Sequence, residues 1–278
     1  MKPNYINING HITDADLAQV SHDNRAFRYG YGLFETMLIQ DGQIPYATLH
    51  WQRLFRGLER LFFTLPPHFT TEYLAEEIVR TVKKNKCEKL CRVRLQVFAG
   101  SGGLYDGKSQ IPEFLIDCFE LQPHVLKLNE NGLDVGIASE IVKNNDSLSN
   151  LKTSNALVYV IAAQQAKHKK WNDALICNAA DNIVESTISN IFWVKNEKVY
   201  TPPLSDGCVA GVMRQFIINR LLTQKTIVIE KSLSASELGN ADELFLTNAI
   251  RRLKWVKSAT NIDFRHDFTR HLYFEIFK

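Results

Sequence analysis

From Cys91 to Ala99 the chain reads CRVRLQVFA, apolar and polar residues in alternation, and a second β-prone run, EFLIDCFEL, covers 113–121. Alternation puts Arg92, Arg94 and Gln96 on one face of a strand and Val93, Leu95 and Val97 on the other. The join between the two runs is rich in glycine and has no helical periodicity. The simplest structure is an antiparallel hairpin with a long loop, and this constrains everything around it. The loop contains GGLYDGKS, in which Gly102, Gly107, Lys108 and Ser109 have the spacing of a phosphate-binding P-loop. A working P-loop opens directly into a helix whose N-terminal amides hold the phosphates. Here Ser109 is followed by QIPEFLIDCFEL, which alternates, and FLID begins too soon after Lys108 for a crossover helix. A P-loop nucleotide hydrolase is therefore only a remote alternative.

Elsewhere the periods alternate between strand and helix. GLFETMLIQDGQIP reads as a hairpin closed at Asp41-Gly42. In TLHWQRLFRGLERLFF, Leu54, Leu58, Leu61 and Phe62 recur at helical spacing after a Thr48 N-cap. A second helix covers TEYLAEEIVRTVKKN. After Leu121, QPHVLKLNENG has the composition of a connection, which predicts a smaller α/β domain over 1–121 and a larger domain over 122–278. The second half continues with a strand (LDVGIAS), an amphipathic helix after Lys152, a strand (DALICNA) and a hairpin turning at Asn196-Glu197. A helix (GVMRQFIINRLLTQK) and two more strands follow. The fold class is mixed α/β in two domains.

Composition narrows the function classes. Hydrophobic residues at 45% and charged residues at 23% are ordinary for a soluble globular protein, and a net charge of +3 implies neither nucleic-acid nor membrane binding. Short basic clusters such as KHKK (167–170) read as a solvated helix end. No apolar run approaches a membrane span and the N-terminus lacks a signal-peptide core, so the expected address is the cytoplasm. The five cysteines show no CxxC spacing; Cys118 and Cys177 read as small core residues. Cysteines and histidines are too dispersed to imply a metal.

Three features carry chemistry. Lys152 stands among small and apolar residues ahead of a helix, and a lysine in a dry setting can serve as a Schiff-base amine. Glu185 lies in a tract of small polar and apolar residues between two strands, where it is either a solvated turn carboxylate or a carboxylate beneath a pyridine ring. In GCVAGVMRQFII, small residues lead into a helix whose first amides, Val212 and Met213, suit a phosphate.

The order of Lys152, then Glu185 with SNIFW, then GVMRQF, then ADELFLTNA resembles the class IV aminotransferases, the type IV fold of pyridoxal-phosphate enzymes. These include branched-chain and D-amino-acid aminotransferases and 4-amino-4-deoxychorismate lyases. NRAFRYGYGLFETMLIQDGQIPYATLHWQRL is similar to the family's opening hairpin and arginine-bearing helix, and the likeness runs from about residue 4 to 265.

The resemblance implies pyridoxal 5'-phosphate at the domain interface, a homodimer, and Lys152 as the Schiff-base lysine of the C-terminal domain. It implies that Glu185 pairs with the ring nitrogen and that Arg53 clamps the phosphate with the Val212 and Met213 amides. Asn248 would approach the phosphate from another loop, and Asn155 would help position the start of the helix. Tyr29, Phe34, Thr36, Arg92 and Arg94 would choose the substrate, with Arg94 at the substrate-arginine position. The lyases have arginines in the glycine loop where this chain has Ala99 and Leu104, so the expected reaction is amino-group transfer between a small or apolar amino acid and a 2-oxo acid. The alternative is aminodeoxychorismate lyase, releasing pyruvate and 4-aminobenzoate.

Overall fold

A computed structural model describes residues 3–107 and 109–277. The chain divides into two compact units. The first runs to Val125 and includes Leu151–Asn155; the second comprises Leu126–Asn150 and the residues from Ala156 onward.

The first unit contains β1 (Tyr5–Ile8), β2 (His11–Asp14), α1 (Arg25–Tyr29), β3 (Gly32–Gln40), α2 (Ala47–Arg60), α3 (Thr71–Lys84), β4 (Leu90–Ala99) and β5 (Pro112–Glu120). Its sheet has the order β2-β1-β5-β4-β3 and is antiparallel throughout. The alternation in β4 is realised: Cys91, Val93, Leu95 and Val97 are buried, and Arg92, Arg94 and Gln96 are half-buried on the other face. Leu54 and Leu58 of α2 and Leu74 and Ile78 of α3 pack on the buried face. Each such side chain contributes about 1.5–3 kcal/mol by leaving water. β3 is an edge strand, and an edge leaves backbone donors and acceptors unpaired. The segment 151–155 covers it: Phe34 N–H donates to the Lys152 carbonyl (2.9 Å) and Ser154 N–H to the Gly32 carbonyl (2.9 Å). This pairing is why Lys152 belongs to the first unit and not to the C-terminal one.

The second unit contains β6 (Leu133–Ile137), α4 (Leu157–Lys169), β7 (Asp173–Cys177), β8 (Ile183–Ser186), β9 (Asn190–Lys195), β10 (Lys198–Thr201), α5 (Val212–Thr223) and β11 (Val228–Glu230). β12 (Glu243–Asn248), β13 (Arg252–Ala259), β14 (Ile262–Asp263) and α6 (Asp267–Phe277) complete it. Its strands follow the order β11-β10-β9-β12-β13-β6-β7-β8, and pairing of Glu185 with Asn190 joins β8 back to β9. Six strands thus close into a ring, with Leu175, Ile191, Leu244, Leu246 and Val256 in one core cluster. Among the described residues, no helix is long and apolar enough to cross a membrane.

Several local expectations are corrected. The Asp41-Gly42 turn is present, with φ of 50° and 74°, but its return arm pairs only at Gln43 before the chain enters α2. Thr48 lies inside α2; the cap is Tyr46, in the left-handed region and without a side-chain hydrogen bond. Phe62, past the end of α2, is exposed, and Phe63 takes the buried place. α4 is not amphipathic: Ala162 and Ala166 pack inward while Leu157, Val160 and Ile161 face outward. Its N-cap is Ala156, and the preceding Asn155 lies 3.3 Å from where a Cβ on Gly30 would stand.

The P-loop lookalike is the β4–β5 hairpin loop, with no helix after it; Lys108 itself lies outside the described residues. One of its glycines, Gly107, packs against a buried arginine. Arg25 is 1% exposed, and it donates from Nε to the Gly100 carbonyl (3.3 Å) and from a terminal nitrogen to the Ser109 carbonyl, tying both ends of the loop. A Cβ on Gly107 would lie 2.3 Å from that guanidinium. No signal local to Arg25 announces this.

Candidate active site

In the first unit, β3, β4 and the 151–155 segment bring Lys152, Phe34, Thr36, Arg94 and Gln96 onto one face. Register alone places Thr36 opposite Arg94 and Phe34 opposite Gln96, with Asp117 of β5 on the far side of Arg94. The Arg94 guanidinium carbon stands 3.7 Å from the Phe34 ring centroid and the Lys152 Nζ stands 4.5 Å from it, so two cations share one aromatic ring. Arg94 also donates to Gln96 Oε1 (2.7 Å), and Gln96 Nε2 donates to Ser154 Oγ. Burial, with the charge of Arg92, pulls Arg94 down to about 10. Burial likewise raises the Asp117 carboxyl, against the pull of both arginines. Arg92 shares the face but turns toward Phe119, 5.8 Å from its ring. Tyr29 ends α1 and packs against Tyr105 of the glycine loop, ring centroids 5.0 Å apart and planes tilted by 49°.

Arg53 has a partner that its phosphate assignment did not include. Glu35, 1% exposed on β3, accepts from Arg53 Nε (2.8 Å) and a terminal nitrogen (2.6 Å), and lies 2.7 Å from His50 Nδ1. Burial alone would raise Glu35, but the Arg53 and His50 contacts outweigh it and hold the carboxyl at about 2. Helical spacing of His50 and Arg53 puts both on the α2 face toward β3, a relation visible in sequence only once β3 and α2 are paired.

In the second unit Glu185 is a β8 residue, 3% exposed, and so neither a turn carboxylate nor a solvated one. Its Oε1 accepts from the Tyr159 hydroxyl (2.7 Å) and lies 3.1 Å from Lys143 Nζ; its Oε2 accepts from Val209 N–H (2.9 Å). Lys143 also donates to the Ser149 (2.9 Å) and Gly207 (2.5 Å) carbonyls. Burial and the Glu185 charge raise the Tyr159 phenol far above its ordinary value, so it stays a neutral donor. Sequence reasoning missed Lys143 and Tyr159, because neither sits in a motif and both reach Glu185 from distant elements.

Gly211 is the N-cap of α5 and offers no side-chain hydrogen bond to its first amides. It must be glycine, since a Cβ there would lie 1.8 Å from Asn190 Oδ1, and Asn190 is held by its own bond to the Val209 carbonyl (2.9 Å). A serine or aspartate that would satisfy the amides of Val212 and Met213 is thereby excluded. This leaves a helix N-terminus suited to an outside anion, and a buried, oriented carboxylate suited to a protonated ring nitrogen. The residues fit pyridoxal phosphate. Asn248 is otherwise engaged: Nδ2 donates to Ser189 Oγ (3.0 Å), and Oδ1 accepts from the amides of Ile250 (3.0 Å) and Arg251 (2.7 Å).

The amino-transferase class IV family model matches residues 32–259. The aminodeoxychorismate lyase of Vibrio harveyi is 28% identical over 229 residues, covering 82% of each chain. A putative branched-chain-amino-acid aminotransferase of Methanocaldococcus jannaschii is 29% identical over 243 residues, covering 87% of this chain and 83% of the relative. Among solved structures, the branched-chain aminotransferase of Thermoproteus uzoniensis superposes with a TM-score of 0.89 at 22% identity, over 99% of this chain and 93% of that one.

Proposed function

The chain belongs to the class IV amino-transferase family, and from that premise we propose that it moves an amino group between a small or apolar amino acid and a 2-oxo acid, with pyridoxal 5'-phosphate as cofactor. Solved branched-chain enzymes of this fold have been described in pyridoxal- and pyridoxamine-phosphate forms. The observation that carries the reading is the convergence of Lys152 and Arg94 on the Phe34 ring, an amine and a guanidinium close together.

When bound, the cofactor supplies the electron sink for the substrate α-carbon. Lys152 Nζ is assigned the covalent attachment and the movement of the α-proton. Arg94 holds the substrate carboxylate, with Phe34 and Tyr29 as apolar walls and Thr36 beside them; Arg92 supplies a second positive charge on the same face. Glu185, oriented by Lys143, Tyr159 and the Val209 amide, keeps the ring nitrogen protonated. The Val212 and Met213 amides and the Arg53 guanidinium, oriented by Glu35, are assigned the phosphate. Asn248 braces the loops at 187–189 and 249–251. A homodimer completes the proposal, supported by the outward Leu157, Val160 and Ile161 of α4 and tested by sedimentation.

Lyase chemistry is the second reading, favoured by SNIFW, GVMRQF and the Vibrio relative. Ala99 no longer argues against it: its side chain is buried in the first unit's core, away from the Arg94 face, so an arginine there would not point at substrate. Leu104, 61% exposed, still stands where a cation is expected. Mixing the pyridoxal form with amino acids should convert it spectrally to the pyridoxamine form, and 2-oxo acids should reverse the change. If no amino acid converts it, while aminodeoxychorismate yields pyruvate and 4-aminobenzoate, the lyase reading replaces transamination.

Two substitutions test the assignments. Arg94→Ala should raise KM for the amino acid about 10- to 100-fold, from the roughly 1.5–3 kcal/mol of a charge-assisted contact, with a smaller change in kcat. An unchanged KM would take the carboxylate away from Arg94. Glu185→Gln should bind cofactor yet turn over slowly, because a neutral amide cannot hold the ring nitrogen protonated. Wild-type turnover in that variant would make Glu185 purely structural.

A further inference from the structure

The core of the first unit holds three thiols that the proposed chemistry does not use. Cys87 lies in the turn between α3 and β4, Cys91 on β4 and Cys118 on β5; all three are buried and free. Cys118 pairs with Val93, two residues from Cys91, so their side chains enter the same core. The Sγ atoms of Cys87 and Cys118 are 3.6 Å apart, and Cys87 Sγ lies 3.7 Å from the Val82 carbonyl. A disulfide needs about 2.05 Å, so side-chain adjustments of about an ångström on each side bring the sulfurs to bonding distance.

We infer that Cys87 and Cys118 are a built oxidation site, closed to an intramolecular disulfide by hydrogen peroxide. Cys87 reacts first: it is 6% exposed, against 0% for Cys91 and 2% for Cys118, and it sits in the turn between α3 and β4 and not in a strand. The neighbouring Cys118 and Cys91 sulfurs favour the Cys87 thiolate, the nucleophilic form, while the same contacts and burial hold the other two as thiols. The Cys87 thiolate attacks one peroxide oxygen; the O–O bond breaks, hydroxide leaves, and the sulfur carries an OH. The Cys118 sulfur then attacks the Cys87 sulfur and displaces that hydroxide, which leaves as water with the Cys118 proton. Two thiols lose two electrons and the peroxide is reduced to two waters. The bond joins positions 31 apart and staples the α3–β4 turn to β5, a cross-link that restricts the unfolded chain.

The test uses the full-length protein, titrated with hydrogen peroxide, unfolded, alkylated and digested without reductant. The expected map joins the Cys87 and Cys118 peptides, lighter by two hydrogens, with Cys177 and Cys208 still alkylated. Dithiothreitol should undo the link, and the oxidised protein should melt at a higher Tm. In Cys118→Ala, dimedone should trap the sulfenic acid at Cys87; if that variant fails to fold, the wild-type map decides alone. Peroxide that leaves both cysteines reduced, oxidises Cys177 or Cys208 as readily, or joins Cys87 to Cys91 overturns the inference.

Discussion

Lys152→Ala protein is expected to fold and yet to lose at least about 10³-fold in turnover, the scale of removing a positioned proton-transfer group, and more if covalent attachment also fails. The fold should survive because the contribution of Lys152 to the first unit's sheet is made by its backbone. The Phe34 amide donates to the Lys152 carbonyl, which alanine keeps. What disappears is the amine 4.5 Å from the Phe34 ring. Borohydride added to wild-type protein with pyridoxal phosphate should fix the cofactor to the peptide containing Lys152, and no peptide of the variant should carry it. A label on another lysine, or an active variant with an unchanged melt, would remove Lys152 from the chemistry.

Glu35→Gln should cost about 3–5 kcal/mol of stability, the range for breaking a buried pair from one side. Both neighbours are left stranded: Arg53 loses a two-point acceptor and fully buried His50 loses its carboxylate. Acid should reveal the same group. The folded carboxyl sits at about 2, below its ordinary 4.5. Its stabilisation is therefore complete above pH 4.5 and lost as pH falls toward 2. That difference corresponds to about 3 kcal/mol. Urea midpoints measured from pH 6 downward should fall more steeply for wild type than for Glu35→Gln. Parallel slopes would show that Glu35 is not the group being titrated.

Sequence was most informative where one period ran uninterrupted. β4 needed no context, since its alternation separates Val93 and Leu95 from Arg92 and Arg94, and α3 is bounded by its Thr70 cap and Leu74–Ile78 spacing. The same reasoning failed on α4, because its apolar residues face outward as well as inward and no amphipathic stripe exists to read. β13 and α6 were not recognised as elements, and Glu185, placed between two strands, lies in β8 itself. For the candidate site, sequence could nominate single residues with a motif around them: Lys152, Glu185, Val212 and Met213. The groups that support Glu185 could not, because Lys143 and Tyr159 meet it only through long-range packing.

The membership of residues 151–155 has a consequence for how the protein is made. Synthesis completes β5 and then must produce 126–150, which belong to the other unit, before the strip that covers β3 leaves the ribosome. Until then the nascent first unit carries an open sheet edge, the kind of surface on which chains pair wrongly. A fragment ending at Val125 would keep that edge permanently, while its complement would carry Lys152 without the strand that holds it. Exchange of modules between relatives at this apparent boundary would therefore part Lys152 from the strand that holds its backbone.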